Sequence, residues 1–342
     1  MKIAVIALTQ NGSQLALKIQ NVLTCDVYLK YPPSDECQVK IFSGKLKDLI
    51  ADIYADYQAF ILIMATGIAF RTFAPYVESK YQDPALVVMD EKGQFAIALL
   101  SGHVGGANDL ARELSKKLLA TPVITTATDV NQKIAFDMVA KNNNLYLENP
   151  SEVKYISSAL VNKEKVALYT PYPTATPTPY YITNFNFAPQ NCVVVISNKS
   201  EDIEAAHTLF LRPRNLVLGI GCRRGTALSD LENALMSFMQ QQGFCLSSVR
   251  ALASIDLKAD EEGLLALSKK LALPLLTYPA PVLHKYTSPT TASDFVAQTT
   301  GTGSVAQAAA LAATNAGKTV VEKTIVNGIT FSLAEDKTII EL

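Results

Sequence analysis

The side chains best suited to chemistry fall in two stretches of the chain. The first holds Thr66-Gly67, then Arg71, then the glycine-bordered turn Ser101-Gly102-His103-Val104-Gly105-Gly106 with Asn108 behind it, and finally Thr125-Thr126 and Asp129. Imidazole changes charge nearest to neutral pH, so a histidine among hydroxyls and a carboxylate can move protons. Glycines 102, 105 and 106 permit close backbone approach, and a helix starting there would present free N–H groups to an anion. Arg71 adds a guanidinium fork that matches carboxylates. In the second stretch, Gly219-Ile220-Gly221-Cys222-Arg223-Arg224-Gly225 is followed by Lys258 and Glu261 and then by Gly301-Thr302-Gly303-Ser304. A strand–turn–helix carrying Arg223 and Arg224 suits an anion, and Cys222 could act as a thiolate at a helix N-terminus or as a metal ligand.

Plain structural readings stand beside these. A lone histidine in a loop is commonly structural, and glycines before a helix commonly just turn the chain. Asp129 is equally placed to cap a helix beginning near Val130. Arg223 and Arg224 also suit a turn pointing into water, Lys258 and Glu261 a solvated ion pair, and Cys222 a small buried hydrophobe. A nicotinamide site fits poorly, because the spacing is GxGxxxG and no acidic residue ends a second strand about 20 residues on. The absence of a P-loop lysine counts further against a nucleotide-dependent enzyme.

The elements that must hold these groups follow from hydrophobic patterning. Ile3–Leu8 and Phe60–Ala65 are short continuous apolar runs, as expected for strands buried on both faces of a parallel sheet. Ala85–Asp90 and Gln94–Leu100 flank a turn and predict a hairpin. Leu110, Leu114 and Leu118 recur at helical spacing after Gly106, and Pro122 opens another short strand. Val166–Tyr169 and Cys192–Ser197 read as strands around the proline-rich segment 170–181, which excludes a helix. A second α/β pattern begins with strand Leu216–Ile220. It continues through a helix near 226–241, a strand over Val249–Leu257, a helix over Glu261–Leu271 and an alanine-rich helix over Val305–Ala316, and closes with a hairpin around Asn327-Gly328. The expected fold is multidomain α/β, with two α/β domains of mostly parallel sheets and a small central α/β region. The expected domains are residues 1–142, 143–212 and 213–342.

Composition narrows the function. A chain of 342 residues with 49% hydrophobic and 18% charged residues suits two or three packed domains. Lys and Arg number 30 against 31 acidic residues, which argues against the broad basic face of a nucleic-acid binder. Five cysteines without a CxxC pair argue against a disulfide framework or structural zinc. The first apolar run is too short for a signal peptide and no stretch is long enough to span a bilayer. These features predict a soluble, cytoplasmic protein with no membrane partner.

Taken together and in order, the segments 66–111, 121–129 (TPVITTATD), 219–226 (GIGCRRGT), 254–264 (SIDLKADEEGL) and 301–311 (GTGSVAQAAAL) resemble the CbiG family. Its members are cobalt-precorrin-5A hydrolases of anaerobic cobalamin biosynthesis. The C-terminal part also resembles CobE, a small stand-alone protein of the aerobic pathway. The resemblance implies opening of a ring-A δ-lactone on a cobalt-corrinoid and loss of acetaldehyde to give cobalt-precorrin-5B. It implies no cofactor of the protein's own, since cobalt arrives in the substrate. The substrate's acetate and propionate arms would suit Arg71, Arg223, Arg224 and the helix N-termini. Under this reading His103 is the general base, with Ser101, Asn108 and the 102–106 amides around the lactone and Lys258 and Glu261 as second catalytic candidates. Gln307 stands where the family is expected to carry glutamate, so no acid–base role is implied there, and the middle region resembles the family poorly. Neighbouring methyltransferases of the pathway and a second copy of the chain are the protein partners compatible with this reading. A non-catalytic corrinoid carrier is the alternative.

Overall fold

A computed structural model describes residues 1–32, 39–175, 191–203, 205–286 and 305–342. Gly301, Gly303 and Ser304, and residues 176–181 of the proline-rich segment, lie outside the described residues. The chain divides into two compact units, Met1–Met138 and Val139–Leu342.

In the first unit a seven-stranded sheet has the order β3-β2-β1-β4-β5-β6-β7. The strands are β1 Ile3–Ala7, β2 Asp26–Leu29, β3 Lys40–Ile41, β4 Ala59–Ile63, β5 Ala85–Met89, β6 Phe95–Leu100 and β7 Thr121–Val123. Side chains alternate across each strand. Val5, Ile61 and Val87 therefore pack with Leu15, Ile19, Leu110 and Leu114 from helices α1 (Gln10–Gln20) and α4 (Ala107–Leu118). Ile6, Phe60, Leu62 and Leu86 face the other way, onto Ile50 of α2 (Leu46–Ile53) and Phe73 of α3 (Thr66–Phe73). Coverage on both faces explains why the first strands read as unbroken apolar runs. The 85–100 hairpin forms as expected, and it makes β6 antiparallel to β5 while β7 runs parallel to β6. Two short helices, α5 (Ala127–Val130) and α6 (Phe136–Asn142), follow.

The second unit carries two sheets. One contains β8 (Leu145–Leu147), β9 (Val166–Tyr169), β10 (Cys192–Ile196) and β11 (His207–Pro213), with α7 (Val153–Val161) packed on it, in the order β8-β11-β10-β9. In the other, β12 (Leu216–Gly221) pairs in parallel with β13 (Val249–Ile255), and β13 pairs in parallel with β14 (Leu275–Tyr278). The hairpin β15 (Lys318–Val326) and β16 (Ile329–Glu335) adds antiparallel strands to β12. Helices α8 (Leu228–Gln242), α9 (Glu262–Leu271), α10 (Ala280–Leu283) and α11 (Val305–Ala312) complete it. The last of these is shorter than the alanine run, because the Thr314 hydroxyl and amide both bond back to the Leu311 carbonyl and the chain turns there.

Gly219 has a packing reason for being glycine. A Cβ there would lie 1.8 Å from the Ala306 carbonyl oxygen and 3.0 Å from the Ala310 Cβ, so only hydrogen lets α11 sit on β12. Gly225 differs: its φ is +74° and a Cβ there would stand in open space, so only backbone strain opposes a side chain. Gly219→Ala is expected to cost about 3 kcal/mol or more by overpacking against backbone, against about 1–2 kcal/mol for Gly225→Ala. Urea unfolding midpoints of the two variants test that order.

Candidate active site

The turn after β6 is built by close contacts. Ser101 adopts a left-handed conformation at φ 55°, and a Cβ on Gly105 would fall 2.3 Å from the Ser101 Cβ. The Ser101 and Gly102 carbonyls accept the Ala107 and Asn108 amides, at 3.1 and 3.0 Å. The first two amides of α4 are thus spent on the turn itself. This corrects the expectation that they stand free for an anion.

That turn presents His103 to two carboxylates. Its Nε2 lies 2.7 Å from Asp129 Oδ2 and 3.2 Å from the Thr128 hydroxyl, and its Nδ1 lies 3.4 Å from Asp137 Oδ1. Asp129 also accepts from Asn108 Nδ2 at 3.0 Å and pairs closely with Arg112, whose other nitrogen reaches Asp109. Asn108 Nδ2 reaches the Thr126 hydroxyl as well. A cavity of about 230 Å³ opens onto Gly102, His103, Asn108, Arg112, Asp129 and Lys133. Ser101 is buried, and its hydroxyl has no hydrogen-bond partner among the described residues. Thr125 is exposed.

Asp129 lies inside α5, whose N-cap is Thr126. The capping reading for Asp129 is therefore overturned; its carboxylate is spent on His103, Asn108 and Arg112.

The electrostatics favour a charged imidazole. The hydrogen bond from Asp137 raises the His103 pKa against the opposing effect of burial, with Asp129 adding to the rise. Burial pushes both aspartates up, but their hydrogen bonds and the nearby positive charges outweigh it and hold both below the ordinary carboxylate value. The raised histidine contributes stability that is complete below its unfolded pKa of about 6.5 and is lost as pH rises through the folded value. The depressed aspartates contribute stability above about 3.9 that is lost as pH falls through their folded values. The cluster therefore stabilises most between those limits. In Asp137→Asn the His103 pKa is expected to fall toward about 6.5, which a proton NMR titration can follow because the chain has three histidines. An unmoved His103 titration would rule out this electrostatic account.

Thr66, Gly67 and Arg71 are not part of this cluster. Because β6 runs antiparallel, its carboxyl end at Leu100 lies beside Leu86 near the amino end of β5, whereas Thr66 follows the carboxyl end of β4. About 17–20 Å of strand separates the two ends of the sheet. A single cleft gathered from all three strand ends is thereby corrected to two separate places. Thr66 lines a mostly apolar cavity of about 360 Å³ with Leu8, Ile63, Ile68 and Val88. Gly67 and Arg71 are exposed on α3.

In the second unit the Gly219–Gly225 turn and the segment after β13 do meet. Glu261 Oε1 accepts the Gly225 amide at 2.7 Å, and Lys258 Nζ lies 3.5 Å from Glu261 Oε2. Glu261 is 4% exposed and Lys258 15%, so this is not a solvated ion pair. Arg224 reaches the Leu257 carbonyl and Asp260 on the surface, and Arg223 is exposed. Gly221 lies at the end of β12, and Cys222 packs against the core. Burial pushes its thiol up, with a nearby lysine opposing, which disfavours a thiolate there. Gln307 Oε1 is buried with no partner among the described residues.

Arg112, Thr128 and Asp137 were not singled out by sequence reasoning. Arg112 was within reach, because it stands one helical turn after Asn108 on the same face. Nothing local marks Asp137, which meets His103 only through the fold. Among the described residues no group of three or more His, Cys, Asp or Glu side chains is arranged to hold a metal ion.

Three consecutive α/β modules and a polar cavity centred on a carboxylate-held histidine define a modular α/β protein with an enzyme-like site. Residues 48–129, 134–213 and 216–334 match, in that order, the family models described as Cobalamin synthesis G N-terminal, Cobalamin biosynthesis central region and Cobalamin synthesis G C-terminus. The chain is 32% identical over 352 residues to a cobalt-precorrin-5A hydrolase of Priestia megaterium, covering 97% of this chain and 94% of that one. It is 33% identical over 319 residues to a cobalt-precorrin-5A hydrolase of Salmonella typhimurium, covering 90% of each. Over 97 residues it is 33% identical to Protein CobE of a Sinorhizobium species, covering 28% of this chain and 63% of that one. The chain belongs to the cobalamin synthesis G family.

Proposed function

We infer that this chain is a cobalt-precorrin-5A hydrolase, and the observation that carries the inference is its similarity to such hydrolases along nearly its whole length. Water adds to the lactone carbonyl, the ring C–O bond breaks, and a carboxylate and a hydroxyl are released. Loss of the hydroxyl proton then lets the oxygen electron pair form the aldehyde carbonyl as the neighbouring C–C bond breaks. The electrons return to the macrocycle, which takes up a proton, and acetaldehyde leaves.

The His103 cavity suits the proton transfers. His103, at the wall of the cavity, serves as the general base, its ring oriented by Asp137 on Nδ1 and by Asp129 on Nε2. Only neutral His103 can accept a proton, so turnover rises with pH through its raised pKa. Arg112, anchored by Asp129 and still partly exposed, holds the developing carboxylate. At about 230 Å³ the cavity is smaller than the ~300–1,000 Å³ of ordinary small-molecule sites, so it receives the lactone edge and not the whole macrocycle. Cobalt belongs to the substrate, and no resident cofactor is invoked. A reducing, cytoplasmic setting accords with the free Cys25, Cys192, Cys222 and Cys245.

Incubation with cobalt-precorrin-5A and assay of acetaldehyde tests the inference. Stoichiometric aldehyde release is expected. Tight binding of the corrinoid with no aldehyde would instead support a carrier, the reading favoured by the CobE-like segment.

A further inference from the structure

A cavity of about 780 Å³ lies in the second unit, between the sheet of β8 to β11 and the β15–β16 hairpin. Its size falls within the ~300–1,000 Å³ of small-molecule sites, unlike the His103 cavity. Tyr169, Tyr172 and Phe244 line it, together with Lys199, Lys318 and Lys337.

Its carboxylates are occupied by the frame. Glu335 Oε1 accepts from Tyr172, Asn198 and Asn215 at 3.1, 2.8 and 3.3 Å. Asp336 pairs with Arg250 and accepts the Asn315 amide at 2.8 Å. Glu201 accepts from the Ser197 hydroxyl. The lysines are less committed. Lys199 lies 5.5 Å over the Phe244 ring, Lys318 approaches Glu335 only at 3.9 Å, and neither Lys199 nor Lys337 has an ion-pair partner among the described residues. The walls are therefore held in place before any ligand arrives; Lys318 is partly offset by Glu335, while Lys199 and Lys337 at the rim keep charges that no carboxylate pairs among the described residues.

We propose that this cavity binds the corrinoid through its carboxylate arms: a flat, polyanionic tetrapyrrole whose arms meet Lys199, Lys318 and Lys337 and whose ring lies along the aromatic wall. The proposal rests on the hydrolase reading and adds a place of contact within the second unit. Aromatic faces suit a flat conjugated ring, and lysines suit carboxylates that stay partly hydrated.

The test uses the full chain and two probes, cobyrinic acid with free carboxylate arms and cobinamide with amidated arms, in equilibrium dialysis. Cobyrinic acid is expected to bind the wild type more tightly than cobinamide. The triple variant Lys199→Gln, Lys318→Gln, Lys337→Gln, whose changes are all on exposed side chains, is expected to weaken it about tenfold, as three exposed ion pairs would. Equal affinity of wild type and triple variant for cobyrinic acid would overturn the proposal, as would equal wild-type affinity for the two probes. If acetaldehyde release is intact in those cases, the hydrolase reading stands and only this site falls. A wild type that releases no aldehyde from cobalt-precorrin-5A overturns the hydrolase reading, and the comparison of wild type with triple variant then decides this site by itself.

Discussion

His103→Gln is expected to lower acetaldehyde release by roughly 10²–10⁴-fold, the usual worth of a positioned acid–base group. Glutamine keeps a polar side chain of similar reach, so it can still donate to Asp129 or Asp137 while accepting no proton at neutral pH. Corrinoid affinity should change little. The pH profile separates a base from a merely structural histidine. Wild-type turnover should rise with pH, with its midpoint above about 6.5 because Asp137 and Asp129 raise the imidazole pKa. The same midpoint should move down in Asp137→Asn. Full turnover in a folded His103→Gln protein would remove His103 from the chemistry and leave it a cross-link between α5, α6 and the 101–106 turn.

Asp129→Ala is expected to have the second largest effect, on stability and turnover together. The carboxylate is the only described group that joins His103, Asn108 and Arg112. Its removal leaves a mostly buried imidazole with one carboxylate instead of two and an arginine facing only Asp109. A lost partner of a largely buried charge costs about 2–3 kcal/mol, with part of it recovered because Arg112 is 43% exposed. Thermal unfolding should show a clear drop in Tm, and turnover should fall because Nε2 loses its orientation. Asp129→Asn keeps the shape and two of the hydrogen bonds, so its loss of stability should be smaller. Equal stability of Asp129→Ala and wild type would mean that the cluster is held by the surrounding turn alone.

The elements were legible because their signals are local. The buried runs at 3–8 and 60–65, the 85–100 hairpin, the leucines of α4 and the Asn327-Gly328 turn each depend on neighbours within a few residues. The glycine-bordered turn around His103 was legible for the same reason, since it joins the end of a strand to the start of a helix; the meeting of Gly225 with Glu261 depends instead on β12 and β13 being parallel neighbours. Ser101, Asn108 and Asp129 could be singled out because they flank such ends.

What the residue order determined by itself was the set of strands and helices, and the polar residues that stop them. Which strand ends face the same way follows from the 85–100 hairpin together with the parallel pairing of β4 and β5, and only the folded sheet shows that pairing. A hairpin reverses β6, and that one reversal carries His103 to the end of the sheet opposite Thr66. Asp137 likewise meets His103 across 34 positions of chain through packing that no local pattern encodes. Periodicity reports which face of an element is buried; the direction of a strand in its sheet and the partner of a side chain depend on contacts far apart in sequence, and those are settled by the energy of the whole packed unit.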